Sequence, residues 1–248
     1  MEHLLNRLPE RWEEKIIPLM TIHNKFVLGG SLALYILKMM EYDFVKRKPD
    51  LDFSLTEPFD EKEFLTLLDF FNLSIIKSSS DYEEEGDTIK LKSPVESLKK
   101  DLIRLQHVSE NQKLPDNISF KDTMDEYDKR TYQVDFFNKN YLKAKDWFEL
   151  DYFGTTIKLT HPSIILAAKM MYGTDTRVGK QYKHFQDIKG MDWDNYFKIV
   201  KCIQPKNKSV TAEQSNGTIY TKYILDKYVF EDIDIELPFE DIDIELPF

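Results

Sequence analysis

One cysteine, Cys202, stands among 248 residues. A single thiol excludes any internal disulfide, so packing alone must hold the chain, as suits a reducing compartment. Cys202 falls in an apolar helical run and reads as packing, not chemistry. Long apolar runs are also missing. No stretch approaches the ~20 residues that span a membrane, and Met1-Glu-His-Leu-Leu-Asn-Arg has no signal-peptide h-region. The expectation is a cytoplasmic protein with no membrane partner. The last absence is positive charge at one end: from Phe230 onward there are eight acids and no Lys or Arg. The net charge of −10 therefore misleads, because the remaining body carries 34 basic against 36 acidic residues. A near-neutral body with local basic clusters does not exclude a nucleic-acid partner.

What is present suffices for a core. Hydrophobic residues make up 42% and aromatics 13%, in a length that holds one large domain or two small ones. The chain is organised around two stretches. The first, Phe26-Val-Leu-Gly-Gly-Ser31, is a short apolar strand ending in a Gly29-Gly30-Ser31 turn, followed by helix-forming residues from Ser31 to Met40. Glycines there let the backbone turn sharply and approach a ligand, and the N–H groups of a helix start favour an anion. The second, Pro49-Asp-Leu-Asp-Phe53, alternates acid and apolar residues. On a strand, Asp50 and Asp52 share a face while Leu51 and Phe53 enter a core. Paired carboxylates invite a hard cation, Mg²⁺ or Mn²⁺. Between the stretches, Lys46, Arg47 and Lys48 form a basic trio that could meet a triphosphate or an acceptor. Further on, Tyr132-Gln-Val-Asp135-Phe-Phe137 is a β-type run with one acid at its centre. Alone, a Gly-Gly-Ser is a turn and an Asp-x-Asp a solvated strand edge. In this order and with these elements between them, they are parts for phosphoryl or nucleotidyl transfer.

Gly29-Gly30-Ser31, Asp50-x-Asp52 and Asp135 resemble the signature of the nucleotidyltransferase fold, the polymerase-beta-like superfamily. The wording "VLGGSLALYIL" and "KPDLDFSL" looks most like the AbiEii-type nucleotidyltransferases, toxins of abortive-infection and toxin–antitoxin systems. The resemblance covers about residues 20 to 190. It implies an NTP donor held by Gly29, Gly30 and Ser31, and metals on Asp50 and Asp52; Lys48 of the basic trio and Asp187 are further expected donor-binding residues. It implies that Asp135 shares a metal and acts as base, with Lys169 neutralising phosphate. Lys169 and Asp187 match the family's helical Lys and late Asp in "HPSIILAAKMMYGTDTRVGKQYKHFQDI". Arg177, Lys180 and Lys183 could add a basic face. Where relatives carry another Asp after a basic residue, this chain has His184 after Lys183.

The other elements follow from periodicity. Residues 1–24 predict a helix. Asp60–Phe71 predicts another, capped by Asp60 with Glu63 three residues on. Leu73–Lys77 and Thr88–Lys92 predict a hairpin with an acidic tip. Pro94 to about His107 predicts a helix with Leu98, Leu102 and Leu105 on one face. Residues 109–130 read as a polar insertion and Thr155–Leu159 as a strand. Thr160-His161-Pro162-Ser163 opens a helix through Tyr172, and Tyr182–Lys189 and Trp193–Ile203 predict two more, the last capped by Asp192 or Asp194. Residues 204–217 read as a linker and Thr218–Val229 as a short helix.

The tail repeats nine residues, Phe230-Glu-Asp-Ile-Asp-Ile-Glu-Leu-Pro238 and again from Phe239, before Phe248. Two short copies cannot build a solenoid, and the composition favours a solvated chain. An acidic–Leu-Pro-Phe end resembles the C-terminal tip of bacterial single-stranded-DNA-binding proteins, which implies a replication or repair partner with a basic, apolar pocket.

These readings predict an α/β (α+β) fold, a nucleotidyltransferase-like mixed sheet with flanking helices. Residues 1–150 form that domain, 151–229 a helical part and 230–248 the acidic tail. The expected function is metal-dependent transfer of an NMP from an NTP to a tRNA 3′ end or a protein hydroxyl, in a toxin-like or phage-defence-like role that would imply an antitoxin. The alternatives are a non-catalytic scaffold recruiting partners through its tail, and a transferase acting on small molecules.

Overall fold

The computed structural model describes residues 4–45, 48–79, 93–107, 132–139, 141–144, 146–174 and 181–203. Helix α1 (Glu10–Thr21) begins after Pro9, shorter than the helix expected over 1–24. Proline fixes φ and lacks an N–H, so Pro9 suits the position ahead of a helix start, while Pro18 is accommodated inside α1 near its C-terminal end. Leu5 and Leu8 ahead of it are still buried. Strand β1 (Phe26–Leu28) is buried throughout and leads into α2 (Gly30–Ile36). The helix expected to reach Met40 stops early because Lys38 turns left-handed, at φ 55°.

Strand β2 (Asp50–Leu55) precedes α3 (Glu61–Phe70), whose N-cap Asp60 forms the expected capping box with Glu63. Strand β3 (Leu73–Ser79) is followed, beyond the undescribed 80–92, by the single turn α4 (Pro94–Ser97) and strand β4 (Leu102–His107). One expectation is corrected here. Over Pro94–His107 only the first turn is helical. Among the described residues β3 pairs with β4, antiparallel, with Leu73 opposite His107, while Thr88–Lys92, the other arm of the expected hairpin, lies outside the described residues. Leu98, Leu102 and Leu105 fit a helix period, but Ile103 and Leu105 also alternate with Arg104 and Gln106. Both are fully buried, and two strand neighbours supply the ladder that decides for β.

Strand β5 (Gln133–Phe137) follows, then β6 (Trp147–Tyr152) and β7 (Thr155–Thr160). The β6–β7 hairpin turns at Phe153 and Gly154, both at positive φ (47° and 88°), the requirement of a tight two-residue turn. β6 is an addition to the elements legible in sequence. Helices α5 (Pro162–Thr174), α6 (Gln181–Lys189) and α7 (Trp193–Cys202) complete the described chain. Asp192, not Asp194, caps α7, accepting from the Asn195 N–H at 2.9 Å. At the α5 start His161 is buried, its Nδ1 2.6 Å from Ser163 Oγ, and burial pushes its pKa down to about 4.

Among the described residues seven strands form one mixed sheet, in the order β3-β4-β5-β2-β1-β7-β6. β2/β5 and β1/β7 are parallel and the other pairs antiparallel. This is a mixed α/β architecture with flanking helices, and its sheet continues to Thr160. β2 lies at the centre. Its Leu51, Phe53 and Leu55 are buried. Phe53 stacks on Phe136 with ring centroids 5.5 Å apart, and Phe26 and Phe59 close the aromatic cluster. Asp50, Asp52 and Ser54 take the opposite face. Among the described residues no helix is long and apolar enough to cross a membrane. The tail from Phe230, the linker 204–217, the helix expected over Thr218–Val229 and the insertion 109–130 lie outside the described residues.

Candidate functional site

Strand pairing assembles the carboxylates. In the parallel β2/β5 ladder Asp52 stands opposite Asp135 and Asp50 opposite Gln133. Side chains in register on one face are neighbours, so a pair 83 residues apart in sequence meets side by side. Asp50, Asp52 and Asp135 each bring a carboxylate oxygen within 4.8 Å of the other two. Asp135 is buried, while Asp50 and Asp52 are partly exposed. Three hard, negatively charged oxygen donors on one face, half open to solvent, are a donor set for a divalent cation such as Mg²⁺ or Mn²⁺.

The Gly29–Gly30 turn presses on this cluster. The Gly29 N–H donates to the Asp52 carbonyl oxygen at 2.7 Å. Gly30 has φ +61°, and a Cβ there would lie 1.9 Å from Asp52 Oδ2. Only glycine satisfies both conditions. Gly29 is ordinary backbone by comparison, and a Cβ there would meet Thr160 Oγ1 at 3.3 Å.

The next residue belongs to a second cluster. Ser31 Oγ accepts from Lys169 Nζ at 2.8 Å and donates to Asp187 Oδ2 at 3.2 Å, while Lys169 Nζ donates to the same Asp187 oxygen at 2.7 Å. Lys169 comes from α5 and Asp187 from α6, and both side chains are buried, 6% exposed each. Thus Ser31, Lys169 and Asp187 meet each other, one residue from the turn that touches Asp52. Lys48 stands exposed two residues before Asp50, its carbonyl accepting from the Tyr42 hydroxyl at 2.6 Å. Lys46, Arg47, Arg177, Lys180 and the Lys183 side chain lie outside the described residues.

Two members of the site escaped the sequence reading. Arg104, from β4, grips Asp135 with both edges of its fork: Nε to Oδ1 at 2.9 Å and an Nη to Oδ2 at 2.7 Å. The pair stands in register on the antiparallel β4/β5 ladder. Its hydrogen bonds to Asp135 raise the Arg104 pKa above its ordinary value; burial opposes this, and the charges of Asp135, Asp50 and Asp52 add to it. Gln133 Nε2 lies 3.2 Å from both Asp50 Oδ1 and Asp135 Oδ1, bridging two carboxylates. The signal for Gln133 was its place two residues before Asp135, on the same face of a strand. Arg104 was legible only once its segment was read with period two.

No protein-family model matches the chain, and no curated protein matches it. Among solved structures, one described as a "putative nucleotidyltransferase from H. pylori" is similar over 88% of this chain and 93% of that one, at 12% identity and a TM-score of 0.35. A TM-score that low carries nothing over to this chain. The geometry of the carboxylates stands by itself.

Proposed function

We propose that the chain is a metal-dependent nucleotidyltransferase, moving a nucleoside monophosphate from an NTP to a hydroxyl on RNA, such as a tRNA 3′ end, or on a protein. The observation that supports this reading is the Asp50–Asp52–Asp135 cluster set against a turn that admits only glycine at residue 30. In the reaction the acceptor oxygen attacks the α-phosphorus, the bond to the bridging oxygen breaks, and pyrophosphate leaves. Asp50, Asp52 and Asp135 would hold the metal. A bound divalent ion would neutralise phosphate charge and make the acceptor hydroxyl more acidic. The chain's own part is to bind and orient. Gly30, lacking a side chain, leaves the cluster open beside the turn. Ser31, fixed by Lys169 and Asp187, holds the turn in place. Gln133, within hydrogen-bond reach of both Asp50 and Asp135, orients these two carboxylates. The acceptor's proton passes to a carboxylate of the cluster.

The test is incubation of the purified chain and Mg²⁺ with each common NTP, labelled at the α-phosphate, in the presence of total RNA and lysate. Label is expected on RNA or on a protein band, and Asp52→Asn is expected to reduce transfer by about 100-fold or more, the usual scale for losing an essential metal ligand. Transfer unaffected by Asp52→Asn, or no transfer from any NTP, would sink the reading.

A further inference from the structure

We propose that Arg104 is the resident counter-charge of the carboxylate cluster: its fork occupies Asp135 until a divalent cation displaces it. The affinity of the site for the cation is thereby set by competition between the two. This rests on the metal-dependent reading above.

Arg104 spans both oxygens of Asp135, and Gln133 adds a third donor to Oδ1. A planar fork matched to both oxygens of a carboxylate covers the edge that a metal ion would use. The grip is an added device and not a consequence of strand pairing alone, since a neutral residue at 104 would keep the ladder. The arginine can also leave. Its side chain is 25% exposed while Asp135 is 4% exposed, so the guanidinium lies on the solvent side of the pair. An exit toward water costs it less than full burial would. A guanidinium at this range also repels an arriving cation directly. One elementary charge there shifts cation affinity by on the order of tenfold.

The sign of that effect separates competition from mere positioning. If Arg104 only oriented Asp135, its loss would weaken metal binding. If it competes, its loss tightens binding. Mn²⁺ binding to the chelator-stripped full chain would be measured by calorimetry for the wild type, Arg104→Gln, Arg104→Lys and Asp52→Asn. Arg104→Gln is expected to bind Mn²⁺ about tenfold more tightly, with a lower melting temperature in chelator that Mn²⁺ restores. Arg104→Lys, which keeps the charge and loses the fork, is expected to stay nearer the wild type. A second readout needs no folded variant: the Arg104 Nε–H resonance of the wild-type chain should lose its hydrogen-bonded shift as diamagnetic Mg²⁺ is added. Binding by the wild type with equal or weaker affinity in Arg104→Gln, or an Nε–H signal unmoved at saturating Mg²⁺, overturns the competition while leaving the metal site intact. Absence of binding in both wild type and Arg104→Gln overturns the metal reading and the competition together. Binding that Asp52→Asn leaves unchanged would place the ion elsewhere and overturn both as well.

Discussion

Gly30 shows how much one missing Cβ decides. Its φ of +61° is a left-handed conformation that L residues adopt at a cost, and the space a methyl would need is filled by Asp52 Oδ2. Gly30→Ala must therefore shift the turn or push Asp52 off the cluster. We expect a modest loss of stability, about 1–3 kcal/mol, with Mn²⁺ affinity falling at least about tenfold if Asp52 is displaced. Thermal melting and calorimetry on the same sample measure the two effects. Gly29→Ala is the control, since its backbone is ordinary and Thr160 Oγ1 has only to give by a few tenths of an ångström. Equal metal affinity in Gly30→Ala and the wild type would show that the close approach has no bearing on the cluster.

At the scale of an element, α3 illustrates local encoding. Asp60 Oδ1 accepts from the Lys62 and Glu63 N–H groups at 2.9 and 3.3 Å, and Glu63 Oε2 accepts from the Asp60 N–H at 3.1 Å. Lys25 reaches the same Glu63 oxygen at 2.5 Å, and this hydrogen bond lowers the Glu63 pKa. The start of α3 is thus tied to the turn before β1. Asp60→Ala should cost about 1 kcal/mol, read as a fall in melting temperature of roughly 2–4 °C for a chain of this size. A change smaller than about 0.3 kcal/mol would show that the cap is dispensable. β4 is the opposite case. Its six residues carry both a helix-compatible and a strand-compatible spacing of apolar side chains, and only β3 and β5 on either side resolve it.

Across the whole molecule, the helical C-terminal part is fastened to the turn that fronts the cluster. Lys169 and Asp187 close on Ser31. Asn195 Nδ2 donates to the carbonyls of Leu37 and Lys38 at 2.8 and 3.0 Å, where α2 ends. The Asp192 N–H reaches Met39 O at 2.8 Å. Lys169→Met would remove the buried ammonium that donates to Asp187 at 2.7 Å, a loss of about 3–5 kcal/mol. Urea unfolding measures it, and the double variant with Asp187→Leu should recover part of the loss because no charge is then left buried. A single variant within about 1 kcal/mol of the wild type would mean that the pair does not join the two parts.

The sequence by itself determined the local features. These are the strand–turn–helix around Gly29-Gly30-Ser31, the shared face of Asp50 and Asp52, the capped α3, the Asp135 strand and the three late helices. Each rests on contacts within a few residues, where periodicity and capping act. Tertiary structure decided the rest. It chose strand over helix for Leu102–His107, paired β3 with β4, added β6 to the sheet edge and set Asp135 opposite Asp52. It also placed Arg104 on Asp135 and closed Lys169 and Asp187 on Ser31. Those outcomes depend on which strands become neighbours and on which charges share a buried space. Arg104 and Asp135 lie 31 positions apart and Ser31 and Asp187 156, distances at which no local pattern carries the contact.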